Sequence, residues 1–309
     1  MQPRFIRVAG VVAGELPSVV PAKRNRRRAS AIVLGLAAAV LASTGPAGAA
    51  PGPVNAAPVP ANAASGPVSS TRAPVVNRVM SWNLHAGGED VSAQAREVAR
   101  LRPQVIGFQE ACRADVKEIQ SQLKRMGLTY YVAYGTVRGD RWNCGLWGGN
   151  AFGQAVLSAT PIVERGNQLY SQGGTEERGY MWVRTTVNGK ATWVYNTHLA
   201  QAGQRTERAR QVDELTRATR SRARAVILGD FNAEPQYAEL GGMWSSRFRD
   251  ADPDCGRAEN YPACAPTADA NPRRKKFDYI WLRGITAPGG NTVVGSPHSD
   301  HDMVYAGLR

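Results

Sequence analysis

The chain has 309 residues, 43% of them hydrophobic and 20% charged, with 38 basic side chains against 25 acidic ones and a net charge of +13. That composition is globular and excludes fibrous and wholly disordered classes; the length admits one large α/β domain or two small ones. The charge is uneven, since residues 1–49 hold seven basic side chains and a single acid, Glu15. The rest is moderately basic, which fits a polyanionic partner such as nucleic acid or anionic lipid.

Residues 1–49 read as an export signal. Lys23 to Arg28 is a strongly basic n-region, Ala31 to Leu41 an apolar h-region, and Ala47-Gly48-Ala49 a small-residue cleavage site. The stretch before Lys23 makes the n-region long. The apolar run is far short of the roughly 20 residues a membrane span requires, and no later run is long enough. Residues 50–75 are rich in Pro, Ala, Gly and Ser, carry only Arg72 as a charge, and read as a flexible linker. The folded part is expected over 76–309.

The first strand is predicted at Val79–Leu84. Asp90 caps a helix over 91–101, with Val91, Ala95, Val98 and Leu101 on one face, and Pro103 ends it. Val105–Phe108 is near-continuously apolar, as a buried strand should be, and leads to Gln109-Glu110. A second helix is predicted over 113–126, then a strand from Tyr130. Residues 138–150 form a Gly- and Trp-rich loop. Strands follow at 154–158, 180–186 and 192–196, the last two joined by a Val187-Asn188-Gly189 turn. An arginine-rich helix is predicted over 203–223, a strand over 225–228, a loop-rich stretch over 236–272, and closing strands at 277–282 and 303–308. Strands outnumber helices, and the pattern reads as a layered α/β domain, a sheet sandwich with helices outside.

Four cysteines follow the leader. Four in an exported chain allow three pairings. Cys255 and Cys264, close together in a Gly/Pro/Asp-rich stretch, read as a local staple, which leaves Cys112 with Cys144. Neither spacing resembles a zinc site.

Polar residues able to hold a metal or move protons cluster where strands end: Asn83, Glu110, His198, Asp230, Asn232, Asp278, Asp300 and His301. Rigid elements that deliver such groups to one rim are the usual basis of a site. Mg²⁺ takes hard oxygen ligands and keeps several waters, so one or two carboxylates suffice. A histidine titrates near neutrality, and a carboxylate behind it sets its tautomer.

The segments SWNLHAG (81–87), VIGFQE (105–110), FGQAVLS (152–158), YNTHL (195–199), ILGDFNAEP (227–235), FDYIWL (277–282) and SDHDMV (299–304) resemble the endonuclease/exonuclease/phosphatase superfamily. That is the group of deoxyribonuclease I, apurinic endonucleases, neutral sphingomyelinases, inositol phosphatases and the catalytic subunit of cytolethal distending toxin. The segments occur in the family order and span nearly the whole folded part, so 76–309 is expected to be a deoxyribonuclease I-like catalytic domain. The resemblance implies a four-layer α/β sandwich, two mixed β-sheets packed face to face with helices outside. It implies metal-dependent hydrolysis of a phosphate ester by in-line attack of water, with Mg²⁺ as cofactor and Mn²⁺ able to substitute. Glu110 then resembles the principal metal carboxylate, with Asn83 and Asp300 close to the same ion. Asp230 resembles the group that orients or activates the water, and Asn232 a donor to the phosphate. His301, oriented by Asp278, resembles the base or phosphate stabiliser. His198 resembles the second histidine, which contacts the phosphate or protonates the leaving group. Glu177 and Arg178 fall where the family often places a charged residue near the phosphate. His85 stands where apurinic endonucleases have an acid, which argues against abasic-site specificity.

Three basic features favour DNA over a lipid phosphoester: the 205–224 helix, Arg273-Arg274-Lys275-Lys276 before the Asp278 strand, and Arg138 with Arg141 beside Trp142 and Trp147. Lysines and arginines on a rim contact backbone phosphates without reading sequence. The expectation is a secreted, monomeric endonuclease acting on DNA with little sequence preference; the alternatives are a sphingomyelinase-like or phosphoinositide phosphatase-like lipid phosphoesterase and, behind it, a catalytically inactive binding module on the same scaffold.

Overall fold

The computed structural model describes residues 73–86, 89–139, 144–145, 151–257, 263–270 and 273–309. The export leader, nearly all of the linker, and Arg141, Trp142 and Trp147 lie outside the described residues.

Apolar side chains alternate along the strands, so most strands have two buried faces. In β1 (Val75–Asn83), Val79 points to one side and Met80 and Trp82 to the other. The same division runs through β2 (Pro103–Cys112), where Val105 faces one cluster and Ile106 and Phe108 the other. One six-stranded sheet contains these two with β3 (Tyr131–Gly139), β4 (Ala151–Ser158), β11 (Asn291–Val294) and β12 (Met303–Gly307), in the order β11-β12-β1-β2-β4-β3. The second comprises β5 (Glu164–Leu169), β6 (Gly179–Val187), β7 (Lys190–His198), β8 (Ala225–Asp230), β9 (Arg249–Asp250) and β10 (Asp278–Arg283), in the order β5-β6-β7-β8-β10-β9. Both are mixed, because β1/β2 and β7/β8 are parallel and the other pairs antiparallel.

The sheets face each other through Val79, Val105, Val156, Val183, Val194 and Ile280. Helices α1 (Val91–Leu101) and α2 (Arg113–Arg125) cover the outer face of the first sheet with Val98, Ile119 and Leu123. Helix α3 (Arg205–Thr219) covers the second with Val212 and Leu215 against Tyr195, Ile227 and Trp281. This is the expected four-layer sandwich.

Helix α1 begins where predicted, with Asp90 Oδ1 accepting from the Ala93 N–H at 3.0 Å. It ends on Arg102 in the left-handed region (φ 49), directly before Pro103. The region expected to be loop-rich contains a 3₁₀ turn (Ala238–Leu240), α4 (Gly241–Ser245) and the two-residue β9. The arginine-rich helix is shorter than its predicted span, and one of its arginines, Arg208, is only 2% exposed, paired with Glu239 at 2.7 Å. The unpredicted strands β5, β9 and β11 are sheet edges, and exposed edge strands carry no apolar alternation to read. Both expected disulfides, Cys112–Cys144 and Cys255–Cys264, are present.

A polar knot ties the two sheets together beneath the site. Asn196 of β7 donates through Nδ2 to Phe108 O (2.7 Å) and Ala155 O (3.1 Å), and Gln109 Nε2 donates to Asn196 Oδ1 at 2.6 Å. Gly107 leaves room for it, since a Cβ there would sit 2.7 Å from Asn196 Oδ1. Gly107→Ala should therefore destabilise by about 1–3 kcal/mol, read as a lower urea midpoint with unchanged slope; an unchanged midpoint would refute this packing.

Candidate active site

The register of the second sheet assembles half of the site. His198, the last residue of β7, pairs with Asp230, the last of β8, and Asp230 pairs with Asp278, the first of β10. The first sheet supplies Asn83 at the end of β1 and Glu110 in β2. His301 comes from the segment entering β12, where it bridges to Ala268. Glu110 lies where β2 bulges against β4, with φ 44. A bulge re-aims a side chain, and a non-glycine residue held at positive φ is costly unless its surroundings enforce it. Asn232 has the same backbone state, φ 49.

Asp230 is the hub and is 1% exposed. Its Oδ2 accepts from Asn83 Nδ2 at 3.1 Å, lies 3.3 Å from His198 Nε2 and 3.7 Å from His301 Nε2, while Oδ1 accepts from the Asn232 N–H at 2.8 Å. Asn83 Nδ2 also donates to Glu110 Oε1 at 3.2 Å. Asn232 Nδ2 lies 3.0 Å from His198 Nε2. These five residues fall in one group with the His301–Asp278 pair. Asp300 is about half exposed, and its carboxylate faces His85 Nδ1 at 3.8 Å.

His301 is oriented as expected: Nδ1 meets Asp278 Oδ2 at 2.8 Å. Thr267 holds Asp278 in turn, donating from Oγ1 to the same oxygen at 2.7 Å and accepting the Asp278 and Phe277 N–H groups at 3.0 Å each. Thr267 was not singled out in the sequence. It sits in a stretch without periodicity, and nothing local marks it. Trp82 Nε1 fixes the His301 backbone by donating to its carbonyl at 3.0 Å.

The two histidines titrate in opposite directions. Burial works against protonation of His301, but the charges of Asp278 and Asp230 and the hydrogen bond to Asp278 prevail and raise it to about 10. At neutral pH it is an imidazolium, with Nδ1 donating to Asp278 and the Nε2–H free for another acceptor, 3.7 Å from Asp230 Oδ2. Burial, then the charges of Arg178 and His301, hold His198 well below its usual value. Arg178, itself 5% exposed, places NH1 3.2 Å from His198 Nδ1. A guanidinium only donates, so Nδ1 keeps its lone pair and the ring proton resides on Nε2, directed at Asp230 Oδ2; the Asn232 amide nitrogen beside it then donates to Leu199 O (3.2 Å) rather than to the ring.

Arg178 is held by Glu176 at 3.1 Å, and Glu176 also faces Arg138 at 3.5 Å. Glu177 is exposed, and its neighbour Glu176 makes the ion pairs. The basic run before β10 divides. Arg273 pairs with Glu234 at 2.7 Å; Arg274 pairs with Asp269 at 2.8 Å and with Asp302. Lys275 is half-buried, with its ammonium 5.8 Å from the centre of the Phe277 ring. Lys276 is off the rim altogether, 1% exposed and between Asp250 (3.1 Å) and Asp252 (3.5 Å).

Among the described residues, Asp230, Asp278 and His301 form a group whose potential ligand atoms all lie within 4.8 Å of one another, close enough for a metal ion. A cation fits beside the two carboxylates, with protonated His301 lending it no ligand atom. Asp278 Oδ1 is buried without a hydrogen-bond partner, and burial, with Asp278 and Glu110 nearby, pushes Asp230 up to about 7 against the charge of His301. A positive ion beside them relieves both costs.

The sequence profile of the Endonuclease/Exonuclease/phosphatase family matches residues 80–301. The chain belongs to that family, and its clustered carboxylates and histidine suit the metal-dependent catalytic site typical of such hydrolases. Comparison with curated protein sequences gave no match. Solved structures share the fold. An endonuclease/exonuclease/phosphatase from Beutenbergia cavernae is 21% identical, over 75% of this chain and 71% of that one, with a TM-score of 0.61. D. rerio TDP2 complexed with a single-strand DNA product is 18% identical over 75% and 98%, with a TM-score of 0.58. A mannosyl-6-phosphatase from Bacteroides thetaiotaomicron is 16% identical over 75% and 99%, with a TM-score of 0.54.

Proposed function

We propose that the chain is a secreted, Mg²⁺-dependent phosphodiesterase that cuts DNA with little sequence preference. The observation that carries the chemistry is Asp230 held between two histidines in opposite protonation states. Imidazolium His301 and the Nε2–H of His198 are donors to non-bridging phosphate oxygens, and Asn232 adds an uncharged amide. Asp230, with its proton affinity raised toward neutrality, orients the attacking water and accepts its proton. Glu110, with Asn83 and Asp300, offers the hard oxygens that Mg²⁺ prefers, and Mn²⁺ can replace it. When bound, the ion polarises a phosphoryl oxygen and offsets developing charge. His198, kept neutral by its burial and by Arg178, serves as a phosphate contact rather than as the acid for the leaving group.

The basic balance of the chain supports a polyanionic substrate, and a relative of this fold has been seen with a DNA product. The basic leader and small-residue cleavage site support export, and the two disulfides agree with an oxidising destination.

The test offers supercoiled plasmid, sphingomyelin vesicles and phosphoinositide vesicles in parallel with Mg²⁺. Nicking that stops with EDTA and in Glu110→Ala, with a loss of roughly 10²-fold or more, is the expected result. Headgroup release without nicking would overturn the DNA assignment and identify a lipid phosphoesterase. Nicking that survives EDTA would overturn the metal dependence.

A further inference from the structure

The second sheet carries its catalytic residues at one end and a different feature at the other. β10 runs from Asp278 in the active site to Arg283, five residue steps or about 17 Å away. Arg283 opens onto a cavity of about 530 Å³, lined also by Arg220, Arg222 and Arg247 and by three serines. No carboxylate lines it. Among the described residues, none of these four arginines has an ion-pair partner, unlike the arginines beside the active site.

Two of the four are fixed in place. The Arg222 guanidinium carbon lies over the Trp193 ring, 3.7 Å from its centre, and its Nε reaches Tyr195 Oη at 3.4 Å. Arg283 stacks on Phe248 at 4.0 Å and donates to Thr219 O at 2.8 Å and Ser246 O at 2.5 Å, the carbonyls at the ends of α3 and α4. Capping two helix ends accounts for Arg283, since cations suit helix C-termini. It does not account for the others. The guanidinium groups of Arg220 and Arg247 are exposed and make no hydrogen bond to a described residue. Arg247 is held at φ 65 at the cavity edge. Burial, then the Arg247 charge, lowers the pKa of Arg283, so the arginines repel one another across the cavity. A multivalent anion among them removes that repulsion. Planar guanidinium forks match phosphate oxygens, and pre-stacked ones lose less freedom on binding. The volume is within the usual range of small-ligand pockets.

We infer that the Arg220/Arg222/Arg247/Arg283 cavity is a phosphate-binding exosite, remote from the catalytic centre, that holds a second stretch of the polymer being cut. The polymer source rests on the DNA reading above, whereas the anion chemistry does not. Non-specific affinity of this kind raises local substrate concentration without touching the chemical step.

The test compares the full-length wild type with a double variant, Arg220→Glu and Arg247→Glu, both exposed and outside the catalytic machinery. Inorganic tripolyphosphate binding is measured by calorimetry in EDTA, and plasmid and bis(p-nitrophenyl) phosphate hydrolysis with Mg²⁺. The expected result is a loss of about tenfold or more in tripolyphosphate affinity and a similar rise in plasmid KM. The salt slope of plasmid binding should fall by about 2, one for each lost phosphate contact. Small-diester turnover and the melting temperature should be unchanged. Weaker tripolyphosphate binding with an unchanged plasmid KM would keep the anion site and reject the polymer as its ligand. Equal tripolyphosphate binding by both proteins would overturn the site. If the wild type cuts no plasmid, the nuclease reading fails, and the tripolyphosphate comparison still decides the cavity.

Discussion

Asp230→Asn should reduce kcat/KM by roughly 10³-fold or more while making the metal-free protein more stable. The loss follows from position. Among the described residues Asp230 is the one carboxylate within reach of both histidines and Asn83, and an amide cannot accept a proton from water. The gain in stability follows from electrostatics. Burial raises the Asp230 pKa from 3.8 to about 7. The folded state therefore keeps a proton that the unfolded chain releases, and stability falls as pH rises through that interval. Asn keeps the shape and removes the buried acid. The variant should thus melt several degrees higher near pH 7, on the scale of about 2–4 °C per kcal/mol for a domain of this size. The advantage should vanish near pH 4. Melting curves in EDTA at the two pH values, alongside plasmid nicking, decide it. Wild-type activity in the variant would remove Asp230 from the mechanism. A lower melting temperature at pH 7 would mean that its hydrogen bonds outweigh its burial.

His301→Ala should cost about 10²- to 10⁴-fold in kcat, and Asp278→Asn should lose nearly as much. The two act as a unit. Asp278 accepts the Nδ1 proton and, with Asp230, keeps the ring cationic. An amide at 278 can turn its NH₂ toward Nδ1 and reverse the tautomer. Combining the substitutions should cost little more than either alone, because neighbours acting through one group are not additive. A double-mutant cycle on small-diester hydrolysis measures this; full additivity would show that Asp278 acts independently of His301. Stability gives a second readout. The raised His301 pKa contributes stability that is fully present below pH 6.5 and is lost as pH rises through about 10. The wild-type advantage over His301→Ala should shrink across that range. A constant difference would refute the proposed charge on the ring.

Much of this site is legible in the sequence. Apolar runs such as VMSW and AVILG end abruptly in Asn83 and Asp230, and a buried strand has no packing reason to end that way. The partners of those residues were not legible. Thr267 reaches Asp278 only because an aperiodic segment folds back beside β10. Arg178 was a candidate for phosphate contact, but its bond to His198 Nδ1 depends on the β6/β7 pairing. Charge was the least readable quantity. Arg208 and Lys276 look like solvated cations in the sequence, yet each is buried because acids distant in the chain, Glu239 and the Asp250/Asp252 pair, neutralise it. Helix spans were better predicted than edge strands, because a helix advertises its buried stripe and an exposed edge has none.

The polar knot of Asn196, Gln109 and the Phe108 and Ala155 carbonyls carries a wider consequence. The catalytic group is a seam: Asn83, Glu110 and His301 belong to one sheet and its approach, while His198, Asp230 and Asp278 belong to the other. Each half is tied within itself by its own strand pairing. Their mutual alignment depends on how firmly the two halves are stitched just below the seam. A sliding motion of a fraction of an ångström would leave every strand intact and still separate the group that holds the cation from the groups that handle the proton. Catalysis in this molecule is therefore a gauge of intersheet alignment, and on heating it should fail before the secondary structure does.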